Sequence, residues 1–250
     1  MRIKLELQCE KFPRFYNTLG TSLIKEAIKK SSEDYFKKLY FYNDKSNKES
    51  KNFTFSFYIK NYEIEKEDFI VKDKVIMYIS TPDLELGLNI YNGLINTKIF
   101  RYKHYEMSRR KISLVKESEI FEEEAIFNTL SPICIKDITG KFIDVSNDNY
   151  VKELNYITNT ILKNYRGYGL KRELEFENLN LKKIVVKEPL REFRNITNKE
   201  YQFVNSHKGM FKLKGDKEDL NDIYKLGVGF KRGQGFGNID VVNWRWNKWS

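Results

Sequence analysis

An α+β chain of two tandem units is what the sequence predicts, and three observations carry it. Between residues 1 and 118, period-two alternation and helical spacing follow one another in the order β-α-β-β-α-β. That order is the ferredoxin-like plan. The order returns more loosely between residues 119 and 250, after a run with five glutamates from Glu117 to Glu124. Near the end, five of the thirteen glycines fall between Gly227 and Gly237, with a helix predicted before them and a strand after. Two ferredoxin-like domains are therefore expected, 1–118 and 119–250, the second carrying a glycine-rich loop.

In the first unit, Ile3 to Cys9 alternates as a strand until Phe12-Pro13 breaks it, since proline disfavours helix in the residue before it. Tyr16, Leu19, Leu23, Ile24, Ala27 and Ile28 recur at helical spacing and predict a helix over 16–30. Glu33 to Tyr42 predicts a shorter, aromatic-rich helix, and Asp44 to Asn52 a basic loop. Phe53 to Ile59 and Phe69 to Ile79 read as strands. Ser80-Thr81-Pro82-Asp83 opens a helix, with a capping residue ahead of a tolerated proline and Leu84, Leu88, Tyr91 and Ile95 on the apolar face. Strand character returns between Lys98 and Leu114.

The second unit holds strands near Ile126 and at Ile133-Cys134-Ile135, then a helix over 147–165. Leu174-Glu175-Phe176 and Ile184-Val185-Val186 suggest a hairpin, and Tyr201 to Leu213 adds strand material. Asp219 to Leu226 reads as the helix before the glycine loop, and Ile239 to Val242 as the strand after it. Trp244, Trp246 and Trp249 continue that strand or seal a domain seam.

A formal charge of +10 points to an anionic partner. Sixteen Tyr and eighteen Phe stand among forty-five Lys and Arg. That mixture suits single-stranded RNA, where rings stack bases and cations hold phosphates. An A/T-rich genome would produce a similar composition. No stretch approaches the ~18 apolar residues of a membrane span, and the alternating start Met1 to Leu5 is not a signal peptide. Cys9 and Cys134 lie far apart, match no metal spacing and read as core residues of a reduced, cytoplasmic protein. His104 and His207 pair with nothing at zinc spacing. No metal or cofactor is expected.

The glycine loop, Gly227-Val228-Gly229-Phe230-Lys231-Arg232-Gly233-Gln234-Gly235-Phe236-Gly237, runs from helix to strand. A dinucleotide-binding G-x-G-x-x-G runs the other way, and a phosphate-binding P-loop ends in G-K-[ST]. A nucleotide cofactor is thereby disfavoured. Two readings remain: a basic, backbone-rich grip on a phosphate chain, or a tight loop spaced by glycines. A second basic stretch, Lys98 to Lys111, interleaves Arg101, Lys103, Arg109 and Arg110 with Tyr102 and Tyr105. It reads as a phosphate track or a solvated face.

Taken together, the chain resembles the CRISPR-associated endoribonucleases that cut precursor repeat RNA, the Cas6 family. The family's glycine-rich G-h-G-x-x-x-x-x-G-F-G signature stands complete from Gly227 to Gly237. The G-x-F-x-L-x-G phrase is similar to Gly209 to Gly215, and T-L-S-P-I stands as Thr129 to Ile133. L-P-x-x-Y-N is approximated by Phe12 to Asn17, and F-T-F-S stands as Phe53 to Ser56. The resemblance covers nearly the whole chain. It implies two ferredoxin-like domains, repeat RNA in a basic cleft, and metal-independent cleavage. As partners it implies CRISPR repeat RNA, with a homodimer or a CRISPR effector complex as further associations. The RNA-binding candidates are Arg101, Lys103, His104, Arg109, Arg110, Lys111, Lys231, Arg232, Gln234 and Gly235.

The chain departs from the family where it matters for chemistry. Many members carry a catalytic histidine in L-H-x-x-G just before the F-T-F-S strand. Here Leu39-Tyr40-Phe41-Tyr42-Asn43 stands in that place, with Tyr40 at the histidine position or, after a two-residue slip, Tyr42. Metal-free cleavage needs a group to take the 2′-hydroxyl proton, one to protonate the leaving 5′-oxygen, and cations for the phosphorane. The catalytic candidates are Tyr40, with its phenol acidified by nearby lysines, then Tyr16 and Lys51. Packing is the alternative role for either tyrosine, and a solvated loop position for Lys51. A relative that binds repeat RNA without cutting it is the second functional reading.

Overall fold

The computed structural model describes residues 1–42, 45–47, 49–189 and 201–242. Trp244, Trp246 and Trp249 lie outside the described residues, so the seam expectation for them has no structural counterpart here. In chain order the first half is β1 (Arg2–Gln8), β2 (Lys11–Pro13), α1 (Asn17–Ser31), α2 (Glu33–Tyr40), β3 (Phe41–Tyr42), β4 (Lys45–Ser46), β5 (Thr54–Glu65), β6 (Asp68–Ser80), α3 (Leu84–Ile95), β7 (Ile99–Tyr102) and β8 (Tyr105–Leu114). The second half is β9 (Glu124–Thr129), β10 (Ile135–Lys136), β11 (Phe142–Ile143), α4 (Tyr150–Arg166), β12 (Glu175–Asn178), β13 (Lys182–Pro189), β14 (Tyr201–Lys208), β15 (Met210–Lys214), α5 (Lys217–Leu226) and β16 (Ile239–Val241).

Each half is a ferredoxin-like sheet with two helices on one face. In the first, antiparallel pairings run β5-β6-β1-β8-β7, and β2 extends the β1 side of β6. In the second the order is β12-β15-β9-β16. Taken as first to fourth strands of the plan, β1, β5, β6, β8 and β9, β12, β15, β16 give the same 4-1-3-2 order twice. Alternation along β1 sends Ile3, Leu5 and Leu7 into a core with Leu23, Ile24, Phe55, Val75 and Met77. The second core gathers Phe127, Leu154, Phe211, Leu213, Leu220 and Ile239. Each large apolar side chain so buried contributes roughly 1.5–3 kcal/mol. Local signals set the helix ends: Ser32 caps α2 through the Tyr35 N–H at 3.2 Å, and Gly167 at φ 86° ends α4.

Three expectations need correction. The buried face of α3 is Leu86, Gly87, Ile90, Gly93 and Leu94, while Leu84 and Leu88 are 67% and 52% exposed. The cause is close helix packing: a Cβ at Gly93 would lie 1.8 Å from the Ala27 carbonyl oxygen of α1. Small residues thus mark the contact side, and apolar periodicity points away from it. The cap of α3 is Asp83, accepting from Leu86 N–H at 3.0 Å, so Pro82 precedes the cap instead of opening the helix. Finally, Glu175–Asn178 and Ile184 to Val186 do not form one hairpin. The first pairs with β15, and the second pairs with β14 in an arm inserted between β12 and β15.

The glycine-rich loop lies between the halves. Inside it, Val228 N–H donates to Gly237 O at 2.9 Å, and from it Gly237 N–H reaches Pro132 O of the same half at 2.8 Å. From the first half, Asn17 Nδ2 donates to Gln234 O at 2.7 Å and Thr54 Oγ1 to Phe236 O at 2.8 Å. Thr21 Oγ1 donates to Gly233 O at 3.2 Å. Asn238 Nδ2, just beyond the loop, reaches Ser56 Oγ at 3.1 Å. Arg2 completes the seam, donating to Asp240 Oδ1 at 2.8 Å and to Ile239 O at 3.1 Å.

Candidate active site

Tyr40 closes α2, and the chain turns at once into the segment that carries Lys51. The segment is tied back to the helix: Asn47 N–H donates to Tyr40 O at 2.8 Å, and Lys51 Nζ to Asn47 O at 3.4 Å. Both lysine ammoniums face the Tyr40 ring, Lys25 of α1 at 4.9 Å from its centroid and Lys51 at 5.5 Å. Phe36 packs on the same ring at 5.0 Å. Beside them opens a cavity of about 300 Å³, whose walls include Lys38, Lys51, Glu49, Glu85 and Asn164 of α4. The cavity therefore draws on both halves of the chain.

The electrostatics of this cluster differ from the expectation for Tyr40. Its hydroxyl is buried without a hydrogen-bond partner, and burial pushes the phenol above the ordinary tyrosine range. The lysines sit over the ring face, where they attract the quadrupole, and do not stabilise a phenolate. Lys51 moves the other way. Burial lowers its pKa, Glu49 partly opposes that, and Lys25 adds to it. A lysine so tuned is a better proton donor than a solvated one.

Tyr16 is not part of this cluster. It precedes α1, against Phe12 and Phe57, and burial raises its pKa. Nine residues of helix place it roughly 13 Å along the axis from Lys25. Tyr42 is exposed in β3.

The loop candidates divide by burial. Arg232 is 2% exposed, and burial lowers its pKa to about 10. Its guanidinium donates to Leu226 O at 2.7 Å and to Ser50 Oγ at 3.0 Å. It holds the segment next to Lys51 and offers no edge to a phosphate. Lys231, at φ 60°, pairs with Glu188 at 3.0 Å. Gly235 is buried against Phe55, and the Gln234 side chain is exposed. The N–H groups of Gly227, Val228, Phe230, Gln234, Gly235 and Gly237 all donate to protein carbonyls. Those six N–H groups are thus spent within the second half, while the loop carbonyls of Gly233, Gln234 and Phe236 accept from side chains of the first half.

The basic stretch is a hairpin, β7 and β8, on the far edge of the first sheet. Four strand spacings, roughly 19 Å, separate β5 from β7. Arg101 pairs with Glu106 at 2.8 Å, and Arg110 lies 3.9 Å from Asp73. Lys103 and His104 form the exposed turn rather than a strand, with the His104 ring tilted against Tyr105 at 4.0 Å between centroids. Lys111 is exposed. Arg109 is half-buried, and its Nε has no hydrogen-bond partner. His207 is 1% exposed in the second core, accepting from Val145 N–H at 3.3 Å. Cys9 and Cys134 are buried free thiols pushed up to about 11 and about 12 by burial. Among the described residues no three His, Cys, Asp or Glu side chains gather at metal-binding distance, and no helix is long and apolar enough to cross a membrane.

Residues 115–241, more than half of the chain, match the family described as CRISPR associated protein Cas6, C-terminal. The chain belongs to the Cas6 family. Among solved structures, one described as an RAMP protein binding different RNA substrates superposes with a TM-score of 0.78 at 21% identity, over 97% of this chain and 100% of that one. A Cas6-related protein of Pyrococcus furiosus gives 0.78 at 23% identity, over 97% and 98%. A CRISPR associated protein Cas6 gives 0.75 at 25% identity, over 97% and 99%. No curated protein matches the sequence. Three residues at this ring and its cavity were not among the sequence candidates. Lys25 sits a full helix away from Tyr40 in sequence, and Glu49 and Glu85 carried no motif.

Proposed function

We propose that this Cas6 protein binds CRISPR repeat RNA and cuts the precursor within the repeat by attack of the substrate's own 2′-hydroxyl. The products would be a 2′,3′-cyclic phosphate and a 5′-hydroxyl. The observation that carries the reading is the lysine of lowered pKa on a cavity shared by both halves, in a chain of this family. Lys51 protonates the leaving 5′-oxygen, and with Lys25 it offsets charge on the phosphorane. Glu49, on the wall of the same cavity as Lys51, takes the 2′-hydroxyl proton. Arg232 is a positioning residue, through Ser50. Nothing in this scheme requires a metal, because nucleophile and leaving group both belong to the RNA.

A second reading is favoured by one observation. The position taken by histidine in many relatives holds Tyr40, whose phenol is buried and raised, or, after a two-residue slip, Tyr42, which is exposed. On that reading the protein retains repeat RNA without cutting it. One experiment separates the two: the organism's repeat RNA, in EDTA, with enzyme in large excess, followed on a denaturing gel. Cleavage at one position, blocked by a 2′-deoxy at that position, supports the nuclease. Intact, bound RNA supports the binder, and a requirement for magnesium removes the 2′-hydroxyl mechanism.

A further inference from the structure

At the N-terminal end of α1, a smaller cleft of about 120 Å³ takes four of its eight wall residues from aromatic rings. Three belong to the first half: Phe15, and Tyr102 and Tyr105, which pair across the β7–β8 turn. The fourth, Tyr201, comes from the β13–β14 arm of the second half and meets Phe15 at 5.9 Å between centroids. The rings are held in place. Tyr105 Oη donates to Asp68 Oδ1 at 2.5 Å, and Lys187 Nζ lies 3.6 Å from the Tyr201 centroid and 5.4 Å from that of Phe15. Lys103, held at φ 54°, brings a second cation to the rim. Glu67 and Thr18 are polar groups of the lining.

We propose that this cleft binds one unpaired base of the RNA strand, and that the base carries an exocyclic amino group. The proposal rests on the RNA-binding reading above and adds a position and a base preference to it. The volume equals that of about four waters, which suits a single-ring base and not a nucleoside with its phosphates. The walls are flat π-faces, on which bases stack. Lys103 on the cleft wall and Lys187 over the Tyr201 ring supply two cations for the flanking phosphates. Glu67, as a carboxylate, can only accept hydrogen bonds. It can accept from the N4 amino group of cytosine, whereas uracil offers it a single donor, N3–H, flanked by two carbonyl oxygens that repel a carboxylate. Because the rings come from both halves, an occupied cleft also ties the arm to the first domain.

The test uses three labelled eight-residue strands at fixed salt: oligocytidylate, oligouridylate, and an abasic ribose-phosphate strand of equal charge. Stacking of one base is worth roughly 5- to 150-fold in affinity. Wild-type protein should prefer oligocytidylate to the abasic strand by at least fivefold. Tyr201→Ala should remove that preference and leave abasic binding unchanged, while Tyr201→Phe keeps it. Glu67→Gln should narrow the gap between oligocytidylate and oligouridylate. Thermal melts check that each variant is folded, and Phe15→Ala serves as the second ring deletion. If both ring deletions leave oligocytidylate affinity unchanged, or weaken all three strands equally, the cleft holds no base while the RNA-binding reading stands. If no strand binds wild-type protein even at low salt, that reading fails and this one falls with it.

Discussion

Burial acts in opposite chemical directions on the two groups at the centre of the candidate site. It disfavours the charged form of each, so the Tyr40 phenol holds its proton and the Lys51 ammonium gives one up more readily. Tyr40→Phe should therefore leave the single-turnover rate within about twofold, because a proton-transfer group would cost at least 10²-fold. It should raise stability by about 1 kcal/mol, since it removes a buried hydroxyl with no partner. A large rate loss in Tyr40→Phe would restore the phenol to the chemistry. For Lys51→Ala, a rate loss of about 10²-fold is expected with RNA still bound. The pH profile carries the sign. A proton donor works only below its pKa, so the rate should fall on the alkaline side, at lower pH than a solvated lysine would give. That descending limb should vanish in Lys51→Ala. The pairing of Tyr40 with Lys51 was legible because eleven residues and one turn join them. The raised phenol was not, because proximity in sequence does not say whether a cation lies over a ring face or beside a hydroxyl.

At the scale of the element, the glycine loop combines positive φ with close approach. Gly237, at φ 69°, would place a Cβ 2.0 Å from Val228 O, and Gly235, at φ 80°, would place one 2.8 Å from Phe55 Cε2. A backbone oxygen has less room to give than a ring edge. Gly237→Ala should thus destabilise more than Gly235→Ala, the first by about 3 kcal/mol and the second by about 1–2 kcal/mol. Urea unfolding reads both, and the reverse order would show that the ring is the harder wall. The charges in this loop behave differently. Lys231→Ala breaks a pair with Glu188 and should leave RNA affinity within twofold. Arg232→Ala strips hydrogen bonds from Leu226 O and Ser50 Oγ, costing about 2 kcal/mol. It should also slow cleavage, because the Lys51 segment loses its anchor. A change in the salt dependence of binding for Lys231→Ala would mark it as a phosphate contact after all. The glycines were legible because their conformational need is local. The burial of Arg232 was not, because it depends on α1 and the Ser50 segment closing over it. The face of α3 was misread for a related reason: Gly87 and Gly93 pack by smallness, which an apolar count ignores.

Over the whole molecule, the order of elements was enough to give two ferredoxin-like units, since alternation and helical spacing are written into each segment. How the units join was not, because the seam is built from single side chains far apart in sequence. One of its ion pairs joins Arg2 and Asp240, and their exposures differ: Arg2 is 4% exposed, Asp240 48%. The guanidinium also lies 4.5 Å above the Tyr224 ring. Breaking a buried pair costs most when the surviving charge stays buried, about 3–5 kcal/mol, whereas a charge that water reaches loses little. Removing the aspartate leaves the buried cation with one carbonyl and one ring face. Removing the arginine leaves a carboxylate that is half in water and still accepts from Tyr224 Oη at 3.3 Å and from Val241 N–H at 3.1 Å. Asp240→Ala should therefore destabilise by about 3 kcal/mol, and Arg2→Met, which refills the space around the side chain, by about 1 kcal/mol or less. Urea melts of the two variants, with wild type as reference, measure the difference. Equal losses would show that the pair is solvated like a surface salt bridge.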